Sequence, residues 1–107
     1  MAIRTLPRAE WNVYFDAFSG AQNLTDRIDY AEIRVLSPED GAQTQARWLP
    51  LLGLTYDPKD DLLEVQVEGL DHLVGHPETI YVDEDEGRLN RFEVVRRSGE
   101  METIEIR

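Results

Sequence analysis

The sequence contains no cysteine, only two histidines and only three serines. Without thiols the chain forms no disulfide, offers no cysteine ligand to zinc and performs no thiolate chemistry. None of the serines lies in a nucleophile-elbow pattern, and the glycines are spread as turn residues instead of forming a phosphate-binding loop. Long apolar runs are also missing, so a cytoplasmic protein without membrane contact is expected.

Basic residues are scarce as well, because 11 Lys and Arg stand against 22 Asp and Glu, for a net charge of −11. The excess is uneven: residues 1–55 carry a net −2 and residues 56–107 a net −9. Proteins that neutralise phosphates need a cationic face, so the charge argues against a nucleic-acid partner. It leaves one hypothesis open, that of an acidic mimic that binds a cationic partner through residues 56–107.

The length of 107 residues suits one domain, and the aromatic residues near its start predict a helix at about 6–19. Thr5 is placed to cap this helix and Gly20 to end it. Four aromatic side chains have the spacing that puts them on one helix face: Trp11, Tyr14, Phe15 and Phe18. The helix is therefore expected to dock through this stripe.

The rest of the chain alternates apolar and polar residues, as strands with one buried face do. Within the second strand Pro50 and Gly53 predict a bend, a bulge or an edge position. The segment Leu70–Val74 resembles a single helical turn, closed by Gly75. Six strands are predicted in all, at about 27–36, 43–56, 62–68, 79–83, 89–96 and 101–107.

Short connections between successive strands favour antiparallel pairing, and no βαβ unit is present. The predicted fold class is therefore α+β: an N-terminal amphipathic helix packed on a six-stranded, mostly antiparallel and strongly bent sheet. The same elements also fit a small barrel or roll.

The two histidines, His72 and His76, are four residues apart, as two zinc ligands on one helix face would be. Gly75 and Pro77 interrupt any such helix, and a third ligand is not in evidence, so neither a metal nor a cofactor is predicted. The acidic run 83–87 resembles a calcium loop but places valine where the twelfth residue should be glutamate. We expect an acidic turn there.

Three functional hypotheses remain, and no catalytic residue is predicted. The preferred one is a non-enzymatic binding or protein-interaction domain, with a partner protein or a second copy of the chain contacting an apolar surface at Trp48, Leu49 and Leu51. The alternative is a ligand-binding or enzymatic barrel with its site between Pro50–Gly53 and His72–His76. Its candidate residues are His72, His76, Asp71, Tyr56 and Tyr81. The acidic mimic is the third.

Six segments together resemble a bacterial domain-of-unknown-function family of small acidic single-domain proteins. The segments are Leu6–Trp11, Trp48–Gly53, Thr55–Asp61, Gly69–Leu73, His76–Pro77 and Tyr81–Asp85. The resemblance spans nearly the whole chain, which implies a small stand-alone domain. It implies no activity, cofactor or catalytic residue.

Overall fold

A computed structural model describes residues 2–107. Within that range the chain forms one α-helix and eight strands. The helix, α1, covers Trp11–Gln22 and follows a 3-10 turn at Arg8–Glu10. The strands are β1 Ala2–Leu6, β2 Tyr30–Ser37, β3 Gly41–Asp57, β4 Leu62–Val67, β5 Leu70–Gly75, β6 Pro77–Asp85, β7 Arg88–Arg96 and β8 Met101–Ile106.

All strands pair antiparallel in one sheet with the order β1-β6-β7-β8-β2-β3-β4-β5. The α+β class is thus confirmed, and each of the six predicted strands is present with its ends moved by three residues or fewer. The strand count of six was wrong. The barrel alternative was wrong too, because β1 and β5 are the two ends of an open sheet.

Of the two additional strands, one lies where a helical turn was predicted and the other overlaps the first residue of the predicted helix. Ala2–Leu6, whose end was assigned to the helix, is held extended by pairing with β6, where Thr5 lies opposite Tyr81. Leu70–Gly75, predicted as a helical turn, pairs along its whole length with β4. Gly20 does not end α1, which continues to Gln22. In the two added strands, pairing with a neighbouring strand decides the conformation.

Strand β3 changes partner along its length and thereby folds the sheet. Residues 41–50 pair with β2 and residues 51–57 with β4. The register shifts between Leu51 and Gly53, and Trp48 adopts a left-handed φ of 51°. The irregularity predicted from Pro50 and Gly53 is therefore confirmed. It lies where β3 changes its pairing partner from β2 to β4.

The core lies between the two halves of this folded sheet. In a flat sheet β5 and β8, four strand spacings apart, would be separated by roughly 19 Å. Instead His72 of β5 contacts Glu102 of β8. The inner faces bury Ile80, Phe92 and Ile104 from one half against residues such as Val65 from the other.

Helix α1 closes the core and also covers an exposed strand edge. Of the predicted aromatic stripe Trp11 and Phe15 are fully buried, and Phe15 packs on Phe92 at 5.2 Å between ring centroids. Beyond residue 50, β3 has no neighbouring strand on the side opposite β4. Side chains of α1 hydrogen-bond its backbone groups there instead. Ser19 Oγ both accepts from the Leu54 amide (3.0 Å) and donates to the Leu54 carbonyl (2.7 Å).

Two further α1 side chains donate to backbone carbonyls of β3, one at each end of this edge. The Asn12 amide donates to the Tyr56 carbonyl at 3.2 Å, and the Gln22 amide to the Leu51 carbonyl at 2.7 Å. Strand edges expose unpaired backbone groups that proteins usually cover. The polar stripe of α1 therefore replaces a missing strand.

Candidate functional site

His72 lies on the inner face of β5, where it contacts a buried carboxylate. Its Nε2 is 2.5 Å from Oε1 of Glu102, whose side chain is 1% exposed. Arg96 Nη1 approaches the other carboxylate oxygen at 3.6 Å and also pairs with Glu100 at 2.6 Å. A buried carboxylate is tolerated when it is paired in this way. His72 is therefore part of a core ion cluster, defined by His72, Arg96 and Glu102.

The sequence carried a signal for this cluster. Side chains two residues apart on a strand point to the same face, so Glu102 shares a face with Ile104 and Ile106, which are both buried. An acidic residue on the buried face of a strand predicts a buried partner. The sequence alone did not indicate which of the distant basic residues would supply it.

His76 and Tyr56 meet at a second cluster, around Asp61. The Tyr56 hydroxyl donates to Asp61 Oδ1 at 2.7 Å, and His76 Nδ1 lies 3.3 Å from Oδ2. Arg8 adds a bond to Oδ1 at 3.3 Å and donates to the Pro77 carbonyl at 2.8 Å. These bonds, led by that from Tyr56, lower the pKa of Asp61, whereas burial raises the pKa of Tyr56.

The backbone around this cluster is strained. Asp61 and His76 both have left-handed φ values, 51° and 54°, and the His76 amide donates to the Asp61 carbonyl at 2.9 Å. The cluster thus joins the β3–β4 turn to the β5–β6 connection. Residues in such conformations persist only where surrounding bonds determine them.

The remaining predicted site residues, Asp71 and Tyr81, lie elsewhere. Asp71 is on the opposite face of β5 from His72 and hydrogen-bonds Glu64 of β4, which raises the pKa of Glu64. Tyr81 is partly exposed and opposite Thr5 and Glu93. The five candidate residues are therefore distributed over the core, the Asp61 cluster and the outer sheet face.

The Glu64–Asp71 contact yields a prediction on pH. Because the folded-state pKa of Glu64 is raised, its protonated carboxyl stabilises the folded protein below pH 4.5, its ordinary pKa. This stabilisation is lost as the pH rises through the folded-state pKa. We expect Glu64→Gln to stabilise the protein by ~0.5 kcal/mol at pH 7, since like charges on neighbouring strands repel. Urea unfolding should show the gain at pH 7 and none at pH 4. The control is Glu68→Gln, which should leave the stability unchanged. A loss of stability in Glu64→Gln at pH 7 would contradict the prediction.

The proposed interface residues have different environments. Leu51 is 3% exposed and belongs to the core of the chain itself, so it is not available to a partner. Leu49 is partly buried against that core. Trp48 is covered on one ring face by the Arg107 guanidinium, 3.8 Å from the ring centroid. The exposed leucine at the bend is Leu52, at 60%.

A cleft of about 440 Å³ lies between α1, the loop that follows it and the β6–β7 turn. We call it the helix–hairpin cleft. Its apolar lining comes from the second half of α1 and from β7, and consists of Ala17, Phe18, Ala21 and Leu89. Its charged lining consists of Arg27, Asp29, Glu84 and Arg88. Apolar walls with a few polar groups are typical of ligand sites.

The charges on the cleft wall are engaged. Glu84 accepts from the Tyr14 hydroxyl at 2.6 Å and from Arg4 Nε at 3.0 Å. The hydrogen bond from Tyr14 is the main cause of a lowered Glu84 pKa, and burial raises the pKa of Tyr14. Arg27 and Arg88 both approach Asp29 Oδ1, at 3.7 and 3.4 Å.

One residue of the lining, Gln22, has a buried polar atom without a partner. Among the described residues the buried Oε1 of Gln22 accepts no hydrogen bond. The Leu51 carbonyl can only accept, so it fixes Nε2 of Gln22 against β3 and leaves Oε1 as the free atom. Sequence reasoning missed this cleft. The signals it offered were the small residues Ala17 and Ala21 on the helix and the negative charge of the turn at 83–87.

Across residues 2–107 no group of three or more His, Asp or Glu is arranged to hold a metal ion. No helix in the same range is long and apolar enough to cross a membrane. A smaller hollow of about 240 Å³ on the outer face of β6 and β7 includes Tyr81.

The model of a family described as a family of unknown function, DUF5335, matches residues 2–107. The chain belongs to DUF5335. The resemblance to a bacterial family of unknown function is thereby confirmed. An uncharacterised protein of Aquifex aeolicus (strain VF5) is 41% identical over 102 residues, which cover 92% of this chain and 86% of that protein. No solved structure matches the DUF5335 chain significantly. Membership of this family supplies no activity.

Proposed function

We propose that this protein is a non-enzymatic binding domain and that the helix–hairpin cleft receives its ligand. The observation that carries the proposal is a cleft of about 440 Å³ that combines the apolar side chains of Phe18 and Leu89 with four charged ones, Arg27, Asp29, Glu84 and Arg88. The volume of about 440 Å³ lies within the range of small-molecule sites.

The titratable groups of the cleft favour binding over acid–base catalysis. A general acid or base works best with a pKa near the operating pH. Tyr14 has a raised pKa and Glu84 a lowered one, so both are shifted away from neutrality. The two histidines line neither the cleft nor the smaller hollow. Ligand binding is the function that such fixed protonation states support.

The wall itself is built to be rigid. Gln22 is anchored to β3, and Glu84 is held by bonds from α1 and β1. A site whose groups are already positioned loses little entropy when the ligand binds. This support comes from secondary-structure elements and not from loops alone, which is the arrangement that keeps site geometry precise.

A substitution that fills the cleft tests the proposal. Ala21→Tyr places a ring over the apolar wall, and Val13→Tyr is the matched control because Val13 lies on the same helix but is 69% exposed and outside the cleft. The probe is 2-phenylethylamine, a small molecule whose aromatic ring can cover the apolar wall. Titrated into ¹⁵N-labelled protein, it should shift amide signals of the cleft residues. The A21Y variant should weaken this binding at least tenfold and V13Y should not. Shifts that persist in A21Y, or that map to the outer sheet face, would contradict the proposal.

Self-association is a second proposal, favoured by the exposure of Leu52 at the β3 bend. Leu52 thus takes the place of Leu51, which is buried, in the apolar surface that the sequence predicted. Sedimentation velocity at rising concentration should show a dimer that Leu52→Glu abolishes. A monomer at millimolar concentration would rule it out.

A further inference from the structure

Strand β5 has an unpaired edge. It is the last strand of the sheet and pairs along its whole length with β4, and within residues 2–107 no strand lies on its other side. Proteins often protect such edges with lysine, proline or a bulge, but β5 contains no lysine or proline and its register has no shift. The edge can therefore accept a strand from another molecule.

The hydrogen-bond pattern shows which way the backbone of β5 points. The His76 amide donates to the Asp61 carbonyl at 2.9 Å, so these two residues form a hydrogen-bonded pair next to the ladder of β4 and β5. Hydrogen-bonded pairs alternate along an antiparallel ladder, which directs the backbone groups of His72 and Val74 toward β4. The residues between them point their backbone groups away from the sheet.

The outward-pointing residues of β5 are thus Asp71, Leu73 and Gly75. The Gly75 carbonyl accepts from Arg96 Nε at 2.9 Å, which agrees with its outward direction and closes that end of the edge. The N–H and C=O groups of Asp71 and Leu73 remain open. An added strand can pair with both residues and form four backbone hydrogen bonds.

The side chains of Asp71 and Leu73 both lie on the outer face of the sheet, opposite to His72. Leu73 is 51% exposed. A residue that pairs across an edge places its side chain on the same face, beside the side chain of its partner. Two residues of the added strand, two positions apart, would therefore lie next to Asp71 and Leu73.

The charge on this part of the sheet favours a cation beside Asp71. Residues 51–75 contain six acidic residues and one lysine. Asp71 and Glu64 hydrogen-bond each other, and neither forms an ion pair with a basic residue of the described chain. Arg96 and Arg97 contact the opposite end of β5, at residues 75 and 76. A lysine or arginine next to Asp71 would compensate the paired carboxyl groups.

The same charges disfavour a second copy of the chain on this edge. Pairing β5 with β5 of another copy would bring the Asp71 and Glu64 carboxyl groups of both copies together, and like charges on neighbouring strands repel. Strand β1 at the other end of the sheet carries Arg4, but this arginine is already paired with Glu84 at 3.0 Å. An extended segment of a different protein fits the edge better.

We infer that the β5 edge binds an extended segment of a partner protein, in which a lysine or arginine beside Asp71 follows two residues after an apolar side chain beside Leu73. This order corresponds to antiparallel pairing, which every strand of the sheet already uses. The edge is separate from the helix–hairpin cleft, so this inference does not depend on the ligand of the cleft.

Three peptides test the inference on ¹⁵N-labelled protein. The first, acetyl-Thr-Val-Thr-Lys-Thr-amide, should shift the amide signals of β5 with a dissociation constant on the order of a millimolar, as four backbone hydrogen bonds allow. At saturation it should slow hydrogen exchange at the Asp71 and Leu73 amides at least threefold. The His72 amide, which already points to β4, should exchange as before.

The two other peptides separate charge from strand pairing. Glutamate in place of the lysine should weaken binding at least fivefold, because it adds a third carboxylate beside Asp71 and Glu64. Proline in place of the valine keeps an apolar side chain but removes an N–H that the edge requires, and it should also weaken binding at least fivefold.

A substitution in the protein provides an independent arm. Asp71→Asn should weaken the lysine peptide at least threefold and leave the glutamate peptide no weaker. Asp16→Asn is the matched control, because it removes the same charge from an exposed position on α1, which packs on β3. This control should bind the lysine peptide as the wild type does.

Three results would overturn the inference. The first is equal binding of the lysine and glutamate peptides, and the second is unchanged exchange at Asp71 and Leu73 when the lysine peptide is saturating. The third is a dimer, seen by sedimentation velocity without any peptide, in which the same two amides are protected, since a second copy would then occupy the edge. None of these results bears on the helix–hairpin cleft, whose amide signals report on that proposal.

Discussion

Replacing Glu102 by alanine is expected to lower the free energy of unfolding by about 3 kcal/mol, and the melting temperature by roughly 12 °C. The substitution leaves His72 and Arg96 in or beside the core without the carboxylate that compensates them. It also leaves a cavity between β2 and β7, because Glu102 is paired with Val35 and Val94. Urea and thermal unfolding measure the effect.

A neighbour on the same strand is the control for this prediction. Glu105 lies on the outer face, where it pairs with Arg34 in a partly exposed ion pair, and Glu105→Ala should cost less than about 1 kcal/mol. The double substitution His72→Leu with Glu102→Leu should restore much of the loss, since apolar replacement of a buried pair is often neutral. Equal effects of E102A and E105A would contradict the core ion cluster.

Ser19→Ala is expected to destabilise the protein by about 2 kcal/mol, although it removes a single hydroxyl from a helix. The Ser19 hydroxyl serves both backbone groups of Leu54, a residue with no exposed surface. Its loss leaves a buried N–H and a buried C=O without partners, and each unpaired group costs about 1 kcal/mol or more. Alanine's higher helix propensity offsets only ~0.5 kcal/mol.

Ser37→Ala is the appropriate control. The Ser37 hydroxyl accepts from the amides of Glu39 and Asp40, but in an exposed turn where water can replace it. We expect its removal to change the unfolding free energy by less than about 0.5 kcal/mol. If S19A proves no worse than S37A, the helix does not serve as the missing edge partner of β3.

Local patterns in the sequence predicted most of the strands and failed where pairing decides the conformation. The clean alternation at Leu62–Val67 and Met101–Ile106 identified β4 and β8 almost to the residue. Ala2–Leu6 and Leu70–Gly75 were missed, because both are edge strands whose extended form depends on a neighbour. A short segment without a long alternating pattern does not reveal that neighbour.

The candidate site was harder to predict than the fold, for a physical reason. His72 and His76 are close in sequence, yet strand geometry points the first into the core and the Asp61 turn holds the second outside it. The helix–hairpin cleft joins residues about 60 positions apart, such as Gln22 and Glu84. Periodicity gives the face of each element but not which faces meet.

The central claim is that the helix–hairpin cleft is the binding site, and a crystal structure with 2-phenylethylamine tests it most directly. We predict that the ligand lies in the cleft, with its ring against Phe18 and Leu89. A ligand bound at the Asp61 cluster or on the outer sheet face, with the cleft holding only water, would contradict the claim.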